Sequence, residues 1–295
     1  MLLAVGYHYI AEHEPAEPRA VFPVTTDALA AQIELLARSY ELITRDQLLA
    51  AVDGDGALAA HACLLTFDDG LRCQFELALP VLDRLSSPAI FFVPGRPLAE
   101  RRVLDVHKLH ALRERVPDDE LRARLHDGLP AVSPEEAQAH YRYDTPEAAE
   151  LKFLLNIRLP ADQRRELVDS LFAEEFPDEG ALADELYMDA AQVSALEQRG
   201  AIGAHSYAHQ PLATLSDAEL NADLKRVTEL LHEVTGSQPR AFSYPYGTSE
   251  TVDARTAAQV GAAGYRVAFT MRRDVNETLE EPLLLARLDT NDVSR

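Results

Sequence analysis

Tryptophan is absent from the 295 residues, cysteine occurs twice, and lysine is confined to Lys108, Lys152 and Lys225. Two cysteines, Cys63 and Cys73, cannot build a disulfide framework, which fits a reducing compartment. With 28 basic against 49 acidic side chains the formal charge is −21, so the clustered cations that phosphate backbones or anionic lipid surfaces require are missing. No nucleic-acid partner is expected. The segment from Met1 to Tyr9 has no basic stretch, and its apolar run is too short for a secretion signal or a membrane span. The expectation is therefore a cytoplasmic protein without membrane insertion.

What is present is a chain with 47% apolar and 26% charged residues, enough to bury a sizeable core. Short β-branched or aromatic runs alternate with helical patterns, as βα units do. Strands are expected at Leu2 to Tyr9, Tyr40 to Thr44, Ala62 to Phe67, Ala89 to Val93, Ala201 to Ala204, Ala241 to Tyr244, Tyr265 to Thr270 and Leu283 to Leu288. Thr44 with Gln47 and Ser216 with Glu219 read as capping boxes, and Gly236 as the glycine that ends a helix. The acidic Asp53-Gly54-Asp55-Gly56 reads as a surface turn, since its ligand spacing is incomplete for a calcium loop. This rhythm predicts an α/β fold, a distorted (β/α) barrel of about seven strands formed by the whole chain, 1–295. From about 95 to 188 the strands stop. Amphipathic patterns separated by prolines, among them Val103 to Arg115, Ala148 to Asn156 and Ala161 to Phe172, predict a helical insertion within the barrel.

Three clusters carry chemistry, each directly after an expected strand. Thr66-Phe67-Asp68-Asp69-Gly70 puts two adjacent carboxylates where a barrel strand ends, the face on which such folds build active sites. Side chains alternate along a strand, so both reach one site only if the chain turns at Gly70; the plainer alternative is a helix cap with a solvated acidic turn. His205-Ser206-Tyr207-Ala208-His209 spaces two histidines four apart, suited to one metal ion at about 2.1 Å, or to two surface imidazoles. Phe242-Ser243-Tyr244-Pro245-Tyr246-Gly247 offers the backbone amide of Tyr246 for an oxyanion, with Tyr244, Pro245 and Tyr246 as walls of a sugar-sized groove.

In this order the clusters resemble the polysaccharide deacetylase family, carbohydrate esterase family four or NodB-like. The motif style is closest to the circularly permuted poly-N-acetylglucosamine deacetylases. The resemblance implies a divalent metal held by Asp69, His205 and His209, with Asp68 as general base. It departs from the family at two places. The third motif usually begins with an arginine that orients the base, and here Ser243 stands there; Arg287, near the C-terminal strand, is the candidate substitute. The usual C-terminal histidine acid is also missing, since no histidine follows His232. Gly6-Tyr7-His8-Tyr9 is similar to the Tyr-His of the permuted enzymes, and first and last strands are neighbours in a closed barrel, so His8 is the expected general acid.

His107 and His110, three apart on an expected helix, are candidate substrate contacts or simply a polar helix face. The function implied is a metal-dependent hydrolase that removes an N-acetyl group from an amino sugar in a glycan or glycan precursor of surface polysaccharide biosynthesis. Zinc suits the ligands, as would cobalt, nickel, manganese or iron. The alternatives are hydrolysis of a non-sugar amide or cyclic imide, and an inactive carbohydrate-binding homologue.

Overall fold

The structure, a computed structural model, describes residues 1–16, 20–124, 129–140 and 145–293. The chain divides into two compact units. The first comprises Met1–Glu14, Pro23–Arg102 and Ala183–Arg295, and the second comprises Pro15–Phe22 and Val103–Leu182. Among the described residues no helix is long and apolar enough to cross a membrane.

Among the described residues the first unit holds ten strands: β1 (Leu2–Tyr7), β2 (Ile10–Ala11), β3 (Val24–Thr25), β4 (Glu41–Leu42), β5 (Ala62–Phe67), β6 (Ala89–Val93), β7 (Ile202–Ala204), β8 (Ala241–Ser243), β9 (Val267–Phe269) and β10 (Leu288–Asp289). The main sheet runs β10-β1-β5-β6-β7-β8-β9, with β4 paired to the start of β5. Every one of these pairings is parallel. The expected bounds of β5 and β6 hold to the residue, while β1 and the later strands are shorter than expected. The expected strand Leu283 to Leu288 is divided. Leu285 bridges to Phe269, with Thr270 N–H donating to its carbonyl at 2.8 Å, and only Leu288–Asp289 pairs with β1. This step carries the pairing from β9 round to β1, which makes the sheet a distorted barrel.

Strands buried on both faces read as continuous apolar runs, and residue parity sorts their side chains. Leu3, Val5, Tyr7, Cys63, Leu65, Phe67, Ala204, Phe242 and Tyr244 pack outward, in one core with Leu29, Ile33, Leu224 and Leu231 from the surrounding helices. Leu2, Ala4, Ala62, Leu64, Ile90, Phe92, Ala241, Val267, Phe269 and Leu285 form a second core inside the barrel. Continued by twos, the inner set reaches Thr66 on β5, Asp68 just past its end, and Ser243 on β8. Gly203 precedes His205 on the same parity, and a Cβ there would meet the Phe92 ring at 2.4 Å.

Helix ends follow local chemistry. Helix Arg45–Asp53 starts on the Thr44 and Gln47 capping box and ends at Gly54 with φ 84°. Helix Asp217–Thr235 starts on Ser216 and Glu219 and ends at Gly236 with φ 75°. Among its described residues the second unit is helical. Its helix Asp105–Arg115 packs on Ala161–Glu175, where buried Lys108 meets Asp169 at 2.6 Å. Pro15–Phe22 belongs to this unit because the N–H groups of Ala20 and Val21 donate to the Glu114 carboxylate at 2.7 and 2.8 Å. Gly95–Glu100, expected within the insertion, is a helix of the first unit, whose Gly95 backbone lies against the Tyr207 ring.

Candidate active site

All barrel strands are parallel, so their C-terminal ends share one rim, and the three motif loops leave from it. Asp68 continues the inner parity of β5. Asp69 by alternation would turn away, but it takes a left-handed φ of 75° and Gly70 follows at 61°, a double reversal that returns the second carboxylate to the rim. A Cβ on Gly70 would lie 3.2 to 3.3 Å from Pro94 and Val93, a tight fit added to the strain a side chain would carry at φ 61°.

The Asp69 Oδ1 lies 3.3 Å from His205 Nε2 and 3.2 Å from His209 Nε2, all three residues being buried. The three donor atoms fall within 4.8 Å of one another. His205 Nδ1 donates to the Ser243 carbonyl at 2.7 Å, which fixes the tautomer and leaves the Nε2 lone pair facing Asp69. One carboxylate and two imidazoles whose Nε2 atoms both lie against it fit a divalent cation. Burial alone would lower the His205 pKa, but Asp68, Asp69 and the Ser243 carbonyl outweigh it and raise it. The site favours positive charge.

The histidine loop is itself strained, with Ser206 at φ 59° and His209 at 54°. It is held by Asp223 from helix Asp217–Thr235, whose buried carboxylate accepts the N–H of Tyr207 at 2.8 Å and of Ala208 at 3.0 Å. Ser206 Oγ accepts the N–H of His209 at 2.8 Å. Asp223 escaped the sequence reading because it looks like one more charge on an amphipathic helix. Its only sequence signal is a phase shared with Leu220, Leu224 and Val227 on the buried face.

Arg287 is fully buried and binds Asp68 with both arms, Nη1 to Oδ1 at 2.8 Å and Nη2 to Oδ2 at 2.5 Å. Nη1 also donates to Thr66 Oγ1 and Nη2 to Ser243 Oγ, each at 3.1 Å, while Ser243 Oγ donates to Asp68 Oδ2 at 3.1 Å. Gly6 provides the space, since a Cβ there would sit 3.2 Å from Arg287 Nε. Burial pushes the Asp68 carboxyl up, but Arg287, His205 and His8 outweigh it and hold it at about 2. Ser243, standing where an arginine was expected, thus touches the base through its hydroxyl and a metal-ligand candidate through its carbonyl.

In the third loop the residues divide. Tyr244 lies on the outward parity of β8, is 1% exposed, packs on Phe242 and donates its hydroxyl to the Leu283 carbonyl at 2.9 Å. Its side chain therefore belongs to the helix-facing core, and the expected groove wall is corrected at this position. Pro245 is also buried. Tyr246 takes φ 63° in a tight turn closed by Gly247 N–H to the Pro245 carbonyl at 2.7 Å. It is 38% exposed, with its ring 5.0 Å from that of His209. Gly247 is needed because a Cβ there would lie 2.6 Å from Met271 N.

His8 follows β1 and is half-buried on the parity of Leu2, Ala4 and Gly6, near enough for its imidazole to favour ionised Asp68. His107 and His110 stand on helix Asp105–Arg115 of the second unit with ring centres 5.8 Å apart, His107 being buried. A polar residue the sequence reading passed over, Gln74, contacts the backbones of both His8 and Asp68.

The family profile described as polysaccharide deacetylase matches residues 168–268, which include His205, His209 and Ser243. A search of curated protein sequences returns no match. Among solved structures, a Streptococcus pyogenes deacetylase, PplD, in complex with acetate aligns at TM-score 0.61 and 15% identity, over 98% of this chain and 91% of that one. IcaB from Ammonifex degensii aligns at 0.60 and 18% identity, over 97% and 90% of the two chains. A de-N-acetylase from Aggregatibacter actinomycetemcomitans aligns at 0.59 and 17% identity, over 98% and 95%. The profile match is confined to residues 168–268, and over nearly the whole chain the fold is similar to that of these deacetylases.

Proposed function

We propose that the protein is a metal-dependent hydrolase that removes the N-acetyl group from an amino sugar in a glycan or glycan precursor. The observation that carries this reading is the buried Asp69, His205 and His209 cluster beside an Asp68 kept ionised by Arg287. A divalent cation on those three donors would polarise the acetamide carbonyl and make a nearby water more acidic. Zinc suits the donor set, and cobalt, nickel, manganese and iron are the other candidates.

The chain's own groups then divide the proton work. Asp68, held by Arg287 and Ser243 with both oxygens fixed, takes a proton from the attacking water. The backbone N–H of Tyr246, presented by its left-handed turn, donates to the acetyl oxygen as negative charge develops there. His8, at the end of β1, donates a proton to the leaving nitrogen as the C–N bond breaks, giving acetate and a free amine. The exposed Tyr246 ring offers an apolar face to the sugar. The deacetylase name and bound acetate of the Streptococcus pyogenes neighbour agree with this reaction class.

Acetate release by metal-supplemented protein, screened across N-acetyl sugars, nucleotide-linked sugars and oligomers, tests the reading. Ring opening of a cyclic imide without acetate release would favour the non-sugar amidase, and sugar binding without turnover the inactive homologue. A role in surface polysaccharide biosynthesis follows if the preferred substrate proves to be a surface-glycan precursor.

A further inference from the structure

Gln74 opens the π-helical turn Gln74–Ala78 directly after the Asp68-Asp69-Gly70 loop, and it is fully buried. Its Nε2 donates to the Asp68 carbonyl at 2.5 Å and to the His8 carbonyl at 3.0 Å. Both partners are carbonyl oxygens, so the amide nitrogen must face them. The Oε1 on the other side finds no hydrogen-bond partner among the described residues. A buried amide with an unsatisfied oxygen is a poor choice for packing alone, since Leu or Met would fill the same volume without that cost. What the position uses is the nitrogen. Two further contacts bind the same pair of loops: Asp68 N–H donates to the Tyr7 carbonyl at 2.9 Å, and Ile10 N–H to Cys73 Sγ at 3.4 Å. Single-turn π segments often mark functional positions in helices, and here the turn points one side chain at the loop of Asp68, 6 residues away in sequence, and at the loop of His8, 66 residues away.

We propose that Gln74 is a positioning residue that fixes the general acid His8 relative to the general base Asp68. The inference rests on the roles given to His8 and Asp68 above. Asp68 is already fixed at its carboxylate by Arg287, so the Gln74 bridge transmits that fixed point through the backbone to the His8 loop. Loss of the bridge leaves substrate binding and the metal ligands in place, and lets the acid drift from the leaving nitrogen. A misplacement of about 1 Å costs on the order of 100-fold in rate.

The test is a double-mutant cycle in metal-loaded protein, reading acetate release from an N-acetylglucosamine oligomer together with metal content and thermal midpoint. Gln74→Met should lower kcat about 10- to 100-fold, with KM and metal content close to wild type. In a His8→Ala background the same substitution should cost less than about threefold, because the group it positions is gone. Gln74→Glu, of the same shape without the donor nitrogen, should behave as Gln74→Met does and serves if that variant fails to fold. Equal losses in both backgrounds, or a lost metal, would overturn the proposal, as would failure of both variants to fold. If His8→Ala itself leaves kcat unchanged, the acid assignment fails and takes this proposal with it. A His8→Ala defect combined with an additive Gln74 effect removes the Gln74 proposal alone.

Discussion

Arg287 and Asp68 lie 219 residues apart in sequence and form a two-armed ion pair inside the barrel, at 2.8 and 2.5 Å, with side-chain exposures of 0% and 3%. Such a pair is geometrically demanding, because a guanidinium fork matches both carboxylate oxygens and an ammonium does not. It depends on two small residues: Gly6, which clears the space, and Ser243, whose hydroxyl accepts from Arg287 and donates to Asp68.

Arg287→Lys should therefore fail to restore the base. Acetate release should fall on the order of 100-fold with metal content retained, since the carboxylate loses one of its two fixed oxygens. Arg287→Met should in addition destabilise the fold by about 3–5 kcal/mol, because it leaves a buried carboxylate without its counter-charge. Chemical denaturation and steady-state kinetics on both variants measure this. Near-wild-type turnover by Arg287→Lys would remove the positioning role.

Asp223→Asn keeps one acceptor oxygen for the Tyr207 and Ala208 amides where wild type offers two. The strained loop between His205 and His209 should loosen, and affinity for zinc should drop about 10- to 100-fold, read by competition with a chelator. Unchanged metal affinity would show that the loop holds its shape without the helix.

Metal binding should stabilise the folded state alone. Stripping the protein with a chelator should lower the thermal midpoint, and zinc at about 100 times its Kd should return about 2.7 kcal/mol. Asp69→Ala should abolish that response. A midpoint indifferent to metal in wild type would speak against a bound cation.

Glu100 supplies a pH test at a residue that is not itself a metal-ligand candidate. The Tyr207 hydroxyl donates to it at 2.7 Å and Arg226 at 2.9 Å; against the opposing effect of its partial burial, these hold its carboxyl below the ordinary 4.5. A depressed folded pKa gives stability that is present above 4.5 and lost as the pH falls below it. Glu100→Gln should thus lower the midpoint slightly at pH 7, and the difference from wild type should vanish in acid. A difference that does not shrink as the pH falls below 4.5 would refute the assignment.

The legible parts of the sequence are those that local physics decides. β5 and β6 are continuous apolar runs bounded by polar turns, and the capping boxes at Thr44 and Ser216 use side chains three residues apart. Parity along β5 and β8 would also have sorted Asp68 and Ser243 inward and Tyr244 outward, had it been carried past the strand ends. The remainder depends on distant partners. β10 exists only as a two-residue pairing with β1, and Pro15–Phe22 joins the second unit through Glu114, more than 90 residues away. Gln74 and Asp223 act on backbone atoms of other loops, so nothing in their own neighbourhoods distinguishes them. Arg287 was legible only because Ser243 stood where a basic residue was expected.

The central claim is tested most directly by acetate release from an N-acetylglucosamine oligomer with the metal-loaded protein and its Asp68→Asn variant, metal content being measured in both. Saturable release by wild type, reduced by at least about 100-fold in Asp68→Asn at equal metal content, is the predicted result. Release that survives Asp68→Asn undiminished, or no acetate from any N-acetyl sugar by fully metal-loaded wild type, would contradict it.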